Sequence, residues 1–380
     1  MYTRSRNSGW WLVAGTVALS TALVAQPAAT SSNFNGSVVF DANAPVAPMS
    51  TSWTGSTAQP RGGALVIDVH ASLVLKNLDK RRIRGIMLVV GVGAPESVAG
   101  GKGSVSLPTL DVAPGDTFPV KIDVNLLRPL QQGSGPLVEV KLDGVLFDDL
   151  SFSGPNQLKS QRALTIWELE ARRDRQHFRN LLEKAGNDGL RNELVASAQR
   201  QQDRQQVGVQ MVRGGRVTNA DTEKRLQFAF VQLPDAPIEA LAGVASVSGS
   251  EARKPWFEVR NKSDRPVSHV EMGWIVRDSN GREFMAGSVS SDSRIAPGQK
   301  AQLTQDTLVR FGGGTSIGAM SGFVNNVEFG DGKVWIPSRE ALSQPGVRGL
   351  IAPSPEEQRL VRMYQRRGLN AVIEELKRLQ

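Results

Sequence analysis

Apolar and polar residues alternate with a two-residue step through much of this chain, and one such passage is written twice. Leu65, Ile67, Val69, Ala71, Leu73 and Leu75 are apolar at every second position, the mark of a strand with one buried face. The stretch "VLKNLDKRRIRGIMLVV", Val74–Val90, has a counterpart in "VRNKSDRPVSHVEMGWIV", Val259–Val276. With Asn77 set against Asn261, Ile83 meets Val267, Ile86 meets Val270, Leu88 meets Met272 and Val90 meets Trp274. Each copy reads as a strand ending in Asn, a charged turn, and a second alternating strand.

Two more landmarks keep the same register to within one residue: "VAPG" at Val112–Gly115 against "IAPG" at Ile295–Gly298, and "GVLFDD" at Gly144–Asp149 against "NVEFGD" at Asn326–Asp331. Pro-Gly reverses a chain because proline presets φ and glycine accepts a positive one. "RDSNGRE", Arg277–Glu283, adds a hairpin signal at Asn280-Gly281. Short strands at this spacing predict a mainly β fold with helical additions: two duplicated antiparallel sandwiches, at 64–155 and 222–340. The second begins near "RLQFAFVQL", Arg225–Leu233. The pattern V-x-N-x-S-D-x-P-V at Val259–Val267, followed by an alternating strand and "APG", resembles bacterial extracytoplasmic immunoglobulin-like modules. The resemblance covers both β segments and none of the helices. It implies tandem immunoglobulin-like sandwiches of a kind that serves as spacer, adhesion element or binding platform.

Between the β segments, 157–206 changes period. Leu164, Trp167, Ala171, Phe178, Leu181 and Ala185 recur at helical spacing, with Asp174 and Arg175 interrupting the stripe. Glu168 and Arg172 stand at an ion-pairing interval. "GNDG", Gly186–Gly189, separates a second helical stretch bearing Leu190, Leu194 and Ala198. At 354–380, Ser354, Pro355 and Glu357 form a capping box. The amphipathic helix beyond it carries one apolar set at Leu360, Met363 and Tyr364 and, past Gly368, another at Leu369, Val372, Ile373, Leu376 and Leu379. Three destinations suit the second set: the chain's own β module, a docked protein partner, or a membrane surface.

The first 25 residues read as a signal that would carry this fold out of the cytoplasm. Arg4 and Arg6 precede an uncharged run, Trp10–Ala25, too short for an ordinary spanning helix. It reads as an export signal or, with Leu23 in place of a small residue before the exit, a retained anchor. The Ser-, Ala-, Thr-, Pro- and Gly-rich stretch 26–63 reads as a flexible linker, with "SVVF", Ser37–Phe40, as a candidate short strand within it. There is no cysteine, which excludes disulfides, thiolate catalysis, Cys-ligated zinc and iron–sulfur clusters. The net charge of +8 is scattered rather than blocked, and no nucleic-acid-binding motif accompanies it.

Candidate chemistry is sparse. "GTSIG", Gly314–Gly318, fits a nucleophile elbow at Ser316, with His269 or His70 as the base of a serine hydrolase. The residues after Ser316 are glycine-rich and then strand-like rather than helical. "GGKGS", Gly100–Ser104, has Gly103 where a phosphate loop needs Ser or Thr, and reads as an inter-strand loop. Asp148, Asp149 and Asp331 offer hard oxygens for calcium at a module edge. No catalytic, cofactor-binding or metal set converges, and no cofactor is expected. The expectation is a non-catalytic, exported envelope protein that binds or scaffolds. It would be periplasmic or extracellular, with a protein or envelope component as partner and membrane contact only through 10–25. The alternatives are the Ser316 hydrolase and an assembly subunit docking through Leu369, Val372, Ile373, Leu376 and Leu379.

Overall fold

The computed structural model describes residues 34–92, 101–130, 136–203, 209–213, 223–312, 315–344, 347 and 350–379. The expected export signal and Gly314 of "GTSIG" lie outside the described residues. The protein is mainly β with helical additions.

The first β unit runs β1 (Gly36–Val39), β2 (Val46–Ser52), β3 (Thr57–Arg61), β4 (Ala64–Asn77), β5 (Ile83–Val92), β6 (Lys102–Leu107), β7 (Thr117–Pro129), β8 (Val138–Phe147) and β9 (Phe152–Ser153). One layer is β1-β8-β5-β6, and the other sets β2 and β3 beside β4, with β7 on the far side of β4. Ile67, Leu73, Leu75, Ile83, Ile86 and Leu88 fill the space between them. This corrects two expectations. Residues 26–63 are not a linker throughout, because β1, β2 and β3 are part of the unit; Phe34, Val38, Phe40, Trp53 and Ala58 pack on its core. Their Ser-, Thr- and Pro-rich composition suits short edge strands, where an unpaired backbone side is tolerated. Likewise Lys102–Ser104 opens β6 rather than forming a loop.

The second unit comprises β10 (Val209–Arg213), β11 (Lys224–Phe230), β12 (Ile238–Ser248), β13 (Glu251–Asn261), β14 (Val267–Asp278), β15 (Glu283–Ser291), β16 (Lys300–Thr304), β17 (Thr307–Phe311), β18 (Ile317–Phe329) and β19 (Val334–Trp335). β11 pairs antiparallel with β12 through Gln227, then parallel with β18 from Phe228. One strand thereby joins both layers into a nearly closed, barrel-like sheet around Phe257, Trp274 and Met272. The expectation of purely antiparallel layers is corrected in both units, since β1 also runs parallel to β8.

Pairings in the two units fall at corresponding places. Ile83 lies opposite Phe147, and Val267 opposite Phe329. The register slips at Met87/Leu88 in β5 and at Glu271/Met272 in β14, and again at Pro48/Ser50 in β2 and Ala240/Ala242 in β12. Isolated bridges join Ile83 to Val112 and Val267 to Ile295. The two asparagines are fully buried. Asn77 Nδ2 donates to the carbonyls of Arg81 (2.9 Å) and Val112 (3.2 Å), while its Oδ1 accepts from Asp79 N at 3.0 Å. Asn261 Nδ2 donates to Arg265 (2.8 Å) and Ile295 (3.0 Å), and its Oδ1 accepts from Ser263 N at 2.9 Å. Over each turn an arginine covers an aromatic face, Arg81 on Phe147 at 3.8 Å and Arg265 on Phe329 at 4.0 Å. The amide is needed because it donates and accepts at once, tying the charged turn to the Pro-Gly turn's strand.

The described residues also form four helices: α1 (Ser160–Asp203), α2 (Arg339–Leu342), α3 (Pro355–Arg367) and α4 (Leu369–Arg378). α1 breaks at Gly186, whose φ is 66°. Buried Asp143 of β8 fixes its start, accepting from the backbone of Gln157 (2.9 Å) and Leu158 (3.1 Å) and from the Ser160 hydroxyl. Leu164 packs on Met87 and Leu146 of the first unit. Arg162 pairs with Asp292 at 2.8 Å and with Glu328 in the second. Gly368, at φ 82°, turns α3 into α4, and both fold back on α1, where Leu360, Val361, Val372 and Leu376 bury against Phe178, Leu190 and Leu194. One expectation is corrected here. The C-terminal stripe packs on α1 rather than on its own β module: Leu369 and Ile373, half-buried, border the same cluster, and Leu379 is also buried. Among the described residues no helix is long and apolar enough to cross a membrane.

Asn77→Ala and Asn261→Ala should each lower stability by about 2–3 kcal/mol, because each removes a buried amide that donates to two carbonyls and accepts from a turn N–H. Urea unfolding followed separately in each β unit checks this. A loss below about 0.5 kcal/mol, the range of ordinary surface substitutions, would remove the asparagines from the account.

Candidate functional site

Charged residues occupy the inward face of α1 where an apolar stripe is expected. Asp174 is fully buried, Glu168 is 2% exposed and Arg175 4%. Charges so buried persist only with close partners, and these come both from α1 itself and from the C-terminal helices. Arg175 lies 3.0 Å from Glu168 and 3.5 Å from Glu356 of α3. Asp174 accepts from the Ser354 hydroxyl at 2.5 Å, from Arg173 at 3.0 Å and from Arg339 of α2 at 3.4 Å. Ser354 also caps α3, accepting from Glu357 N at 3.0 Å. One hydroxyl thus joins the cap to the buried aspartate.

Beside this seam lies a cavity of about 710 Å³ between α1, α2 and the start of α3. Its floor alternates in charge. Arg339 donates to Glu357 at 2.5 Å and Arg200 to Glu193 at 2.7 Å, while Ser197 donates to Glu357 at 2.5 Å. Burial alone would push the Glu357 carboxyl up; the Arg339 hydrogen bonds outweigh it and hold the group below its ordinary value. Arg339, against the same burial, is held above the usual guanidinium value by Glu357. Burial lowers His177, and the Arg339 charge lowers it further. Nε2 of this ring is enclosed without a hydrogen-bond partner, 4.0 Å from Glu193 Oε1. Leu342, Ile351 and Pro353 form an apolar wall.

The residues singled out in the sequence do not gather here. Ser316 is exposed just before β18, and its carbonyl accepts from Ser279 N at 2.9 Å, beside the far end of β14. A strand, not a helix, comes after it, so the nucleophile elbow is absent. His269 sits near the opposite end of β14, about 30 Å away at the usual rise per strand residue. Its Nδ1 lies 2.8 Å from Asp292 Oδ1, within the contact between α1 and the second unit. His70 stands on β4 of the first unit, 2.7 Å from Asp123. The Ser316 hydrolase therefore has no assembled base. Asp331 pairs with Arg265, and Asp149 accepts from Ser151 N at 2.9 Å. Among the described residues no group of three or more His, Asp or Glu could hold a metal ion.

Glu168, Asp174, Arg175 and His177 are hard to single out in the sequence because charges within an apolar stripe look like interruptions. The usable signal is their phase. Glu168, Ala171, Arg175 and Phe178 share one helical face, and a charge on a buried face requires a partner.

No protein-family model matches the chain, and no curated protein matches it. Among solved structures it is similar to a β-glucosidase from Kluyveromyces marxianus in complex with glucose, at 9% identity and a TM-score of 0.16, over 75% of this chain and 47% of that one. A selenomethionine-labelled form of that enzyme gives 8% identity and a TM-score of 0.15, over 69% of this chain and 45% of that one. The chain spans about half the length of these proteins. Likeness at this level supports no argument about fold or activity.

Two outcomes test the seam. Arg339→Met should cost about 3–5 kcal/mol in chemical denaturation by leaving Asp174 and Glu357 short of a partner; a loss under about 1 kcal/mol would show that surface-like screening already weakens the pairs. Glu170 of α1 is pushed up to about 7 by burial, with Asp174 and Glu271 of β14 adding repulsion and Arg173 opposing it. A carboxyl raised on folding contributes stability below its unfolded pKa and loses it as pH rises through about 7. Glu170→Gln should therefore raise the melting temperature at pH 8 and change it little at pH 5. Equal effects at both pH values would contradict the assignment.

Proposed function

We propose that the two β units are copies of one immunoglobulin-like sandwich. On this reading the protein is a non-catalytic envelope component, exported by residues 1–25, that binds or scaffolds an envelope partner. The duplication is supported by the matched slips in register and the paired Asn77 and Asn261 corners. One observation carries the scaffolding role: α1 is packed on both units at once, through Leu164 on the first and Arg162 on the second. A second tie closes from the chain's end, where Arg378 of α4 pairs with Asp111 of the first unit. Such bracing favours a fixed spacing of the two β units over a flexible tether. Export rests on the charged start and apolar run at Trp10–Ala25.

Sedimentation of the purified full chain with isolated cell envelopes tests this role at physiological salt. Saturable co-sedimentation, unchanged by Ser316→Ala, is expected. Recovery of all the protein in the supernatant would reject an envelope-binding role.

A further inference from the structure

Alternating charge at the cavity floor restricts what can enter it. Arg200 Nη2 lies 2.7 Å from Glu193 Oε1 and 3.5 Å from Glu357 Oε1. Arg339 Nη2 reaches the same two oxygens at 3.4 and 3.2 Å. Two cations and two anions thus stand in alternation with no net charge among them. A lone anion entering beside Arg200 would draw it from Glu193 and leave a half-buried carboxylate short of a partner. A lone cation would do the reverse. Either costs the desolvation of an unpaired charge. A molecule bearing both charges extends the pattern instead, its carboxylate set against Arg200 and its ammonium against Glu193.

Two independent features point the same way. His177 Nε2 is an enclosed polar atom with no partner on the cavity lining, a rare condition in a folded protein and a place for a ligand hydrogen bond. Besides the charges, Leu342, Ile351 and Pro353 give the cavity apolar surface. The volume of about 710 Å³ falls within the range of small-molecule sites and exceeds what a single amino acid fills.

We propose that this cavity binds a short apolar peptide with both termini free. Arg200 and His177 receive its carboxylate, Glu193 receives its ammonium, and the apolar wall covers its side chains. The inference stands apart from the envelope role, since a soluble peptide would enter whether or not the protein meets an envelope.

Titration calorimetry of the full chain tests it with the dipeptide Leu-Leu and with its N-acetylated, C-amidated and doubly blocked forms. Leu-Leu should bind saturably, each single block should weaken it by about tenfold or more, and the doubly blocked form should give no saturable heat. Arg200→Gln and Glu193→Gln should each abolish the preference for free termini, whereas Arg191→Gln, whose side chain pairs with Asp188 outside the cavity, should leave it intact. The blocked series on the unaltered protein decides the question should either cavity variant fail to fold by circular dichroism. No saturable binding of any form, or equal binding of all four, overturns the proposal.

Discussion

Burying Asp174 without its partners would be prohibitive, and that constraint organises the helical half of the molecule. The aspartate lies mid-way along α1, but Arg339 and Ser354 arrive from the other side of the second β unit. The seam therefore joins residues that lie on either side of that unit in the chain. Buried ion pairs add little net stability compared with apolar packing, yet leaving one member unpaired is costly. Their effect is to exclude alternatives: a displaced C-terminal segment would take Arg339 and Ser354 from Asp174 and Glu356 from Arg175. The apolar contacts of Leu360, Val372 and Leu376 with Phe178 and Leu194 supply the attraction, while the charges determine the register.

The same economy appears in the β units. A single buried amide at Asn77, and another at Asn261, ties a charged turn to the strand leading to the Pro-Gly reversal. Gly115 and Gly298 take φ of 80° and 74° in those reversals, where a side chain would be strained. An arginine then closes each corner by lying over the phenylalanine that ends β8 or β18. Local turn chemistry and long-range pairing thus agree at both corners, a consistency that favours one register over its neighbours.

Range separates the features legible in the sequence from those that are not. Alternation in β4, β5, β13 and β14, the Pro-Gly turns and the Ser354 cap depend on residues a few positions apart, and each appears in the structure where the pattern places it. β2 and β3 are hidden, and β1 shows only as the short run "SVVF", because edge strands need little apolar residue of their own and borrow the core of β4 and β8. The destination of Val372 and Leu376 is hidden for another reason. An amphipathic stripe says that something covers it, not what, and the covering helix lies almost two hundred residues earlier in the chain. The cavity is least legible of all, because Glu193, Arg200, Arg339 and Glu357 come from three separate segments and carry no motif.

Hydrogen exchange of the native protein tests most directly whether the charged seam joins the ends of the chain into one unit. Backbone amides in the cores of α3 and α4 should exchange at the same slow rate as those of α1 near Phe178 and Leu194, through a shared opening. Fast exchange in α3 and α4, while α1 stays protected, would mean that the C-terminal helices rest on the protein without being locked to it.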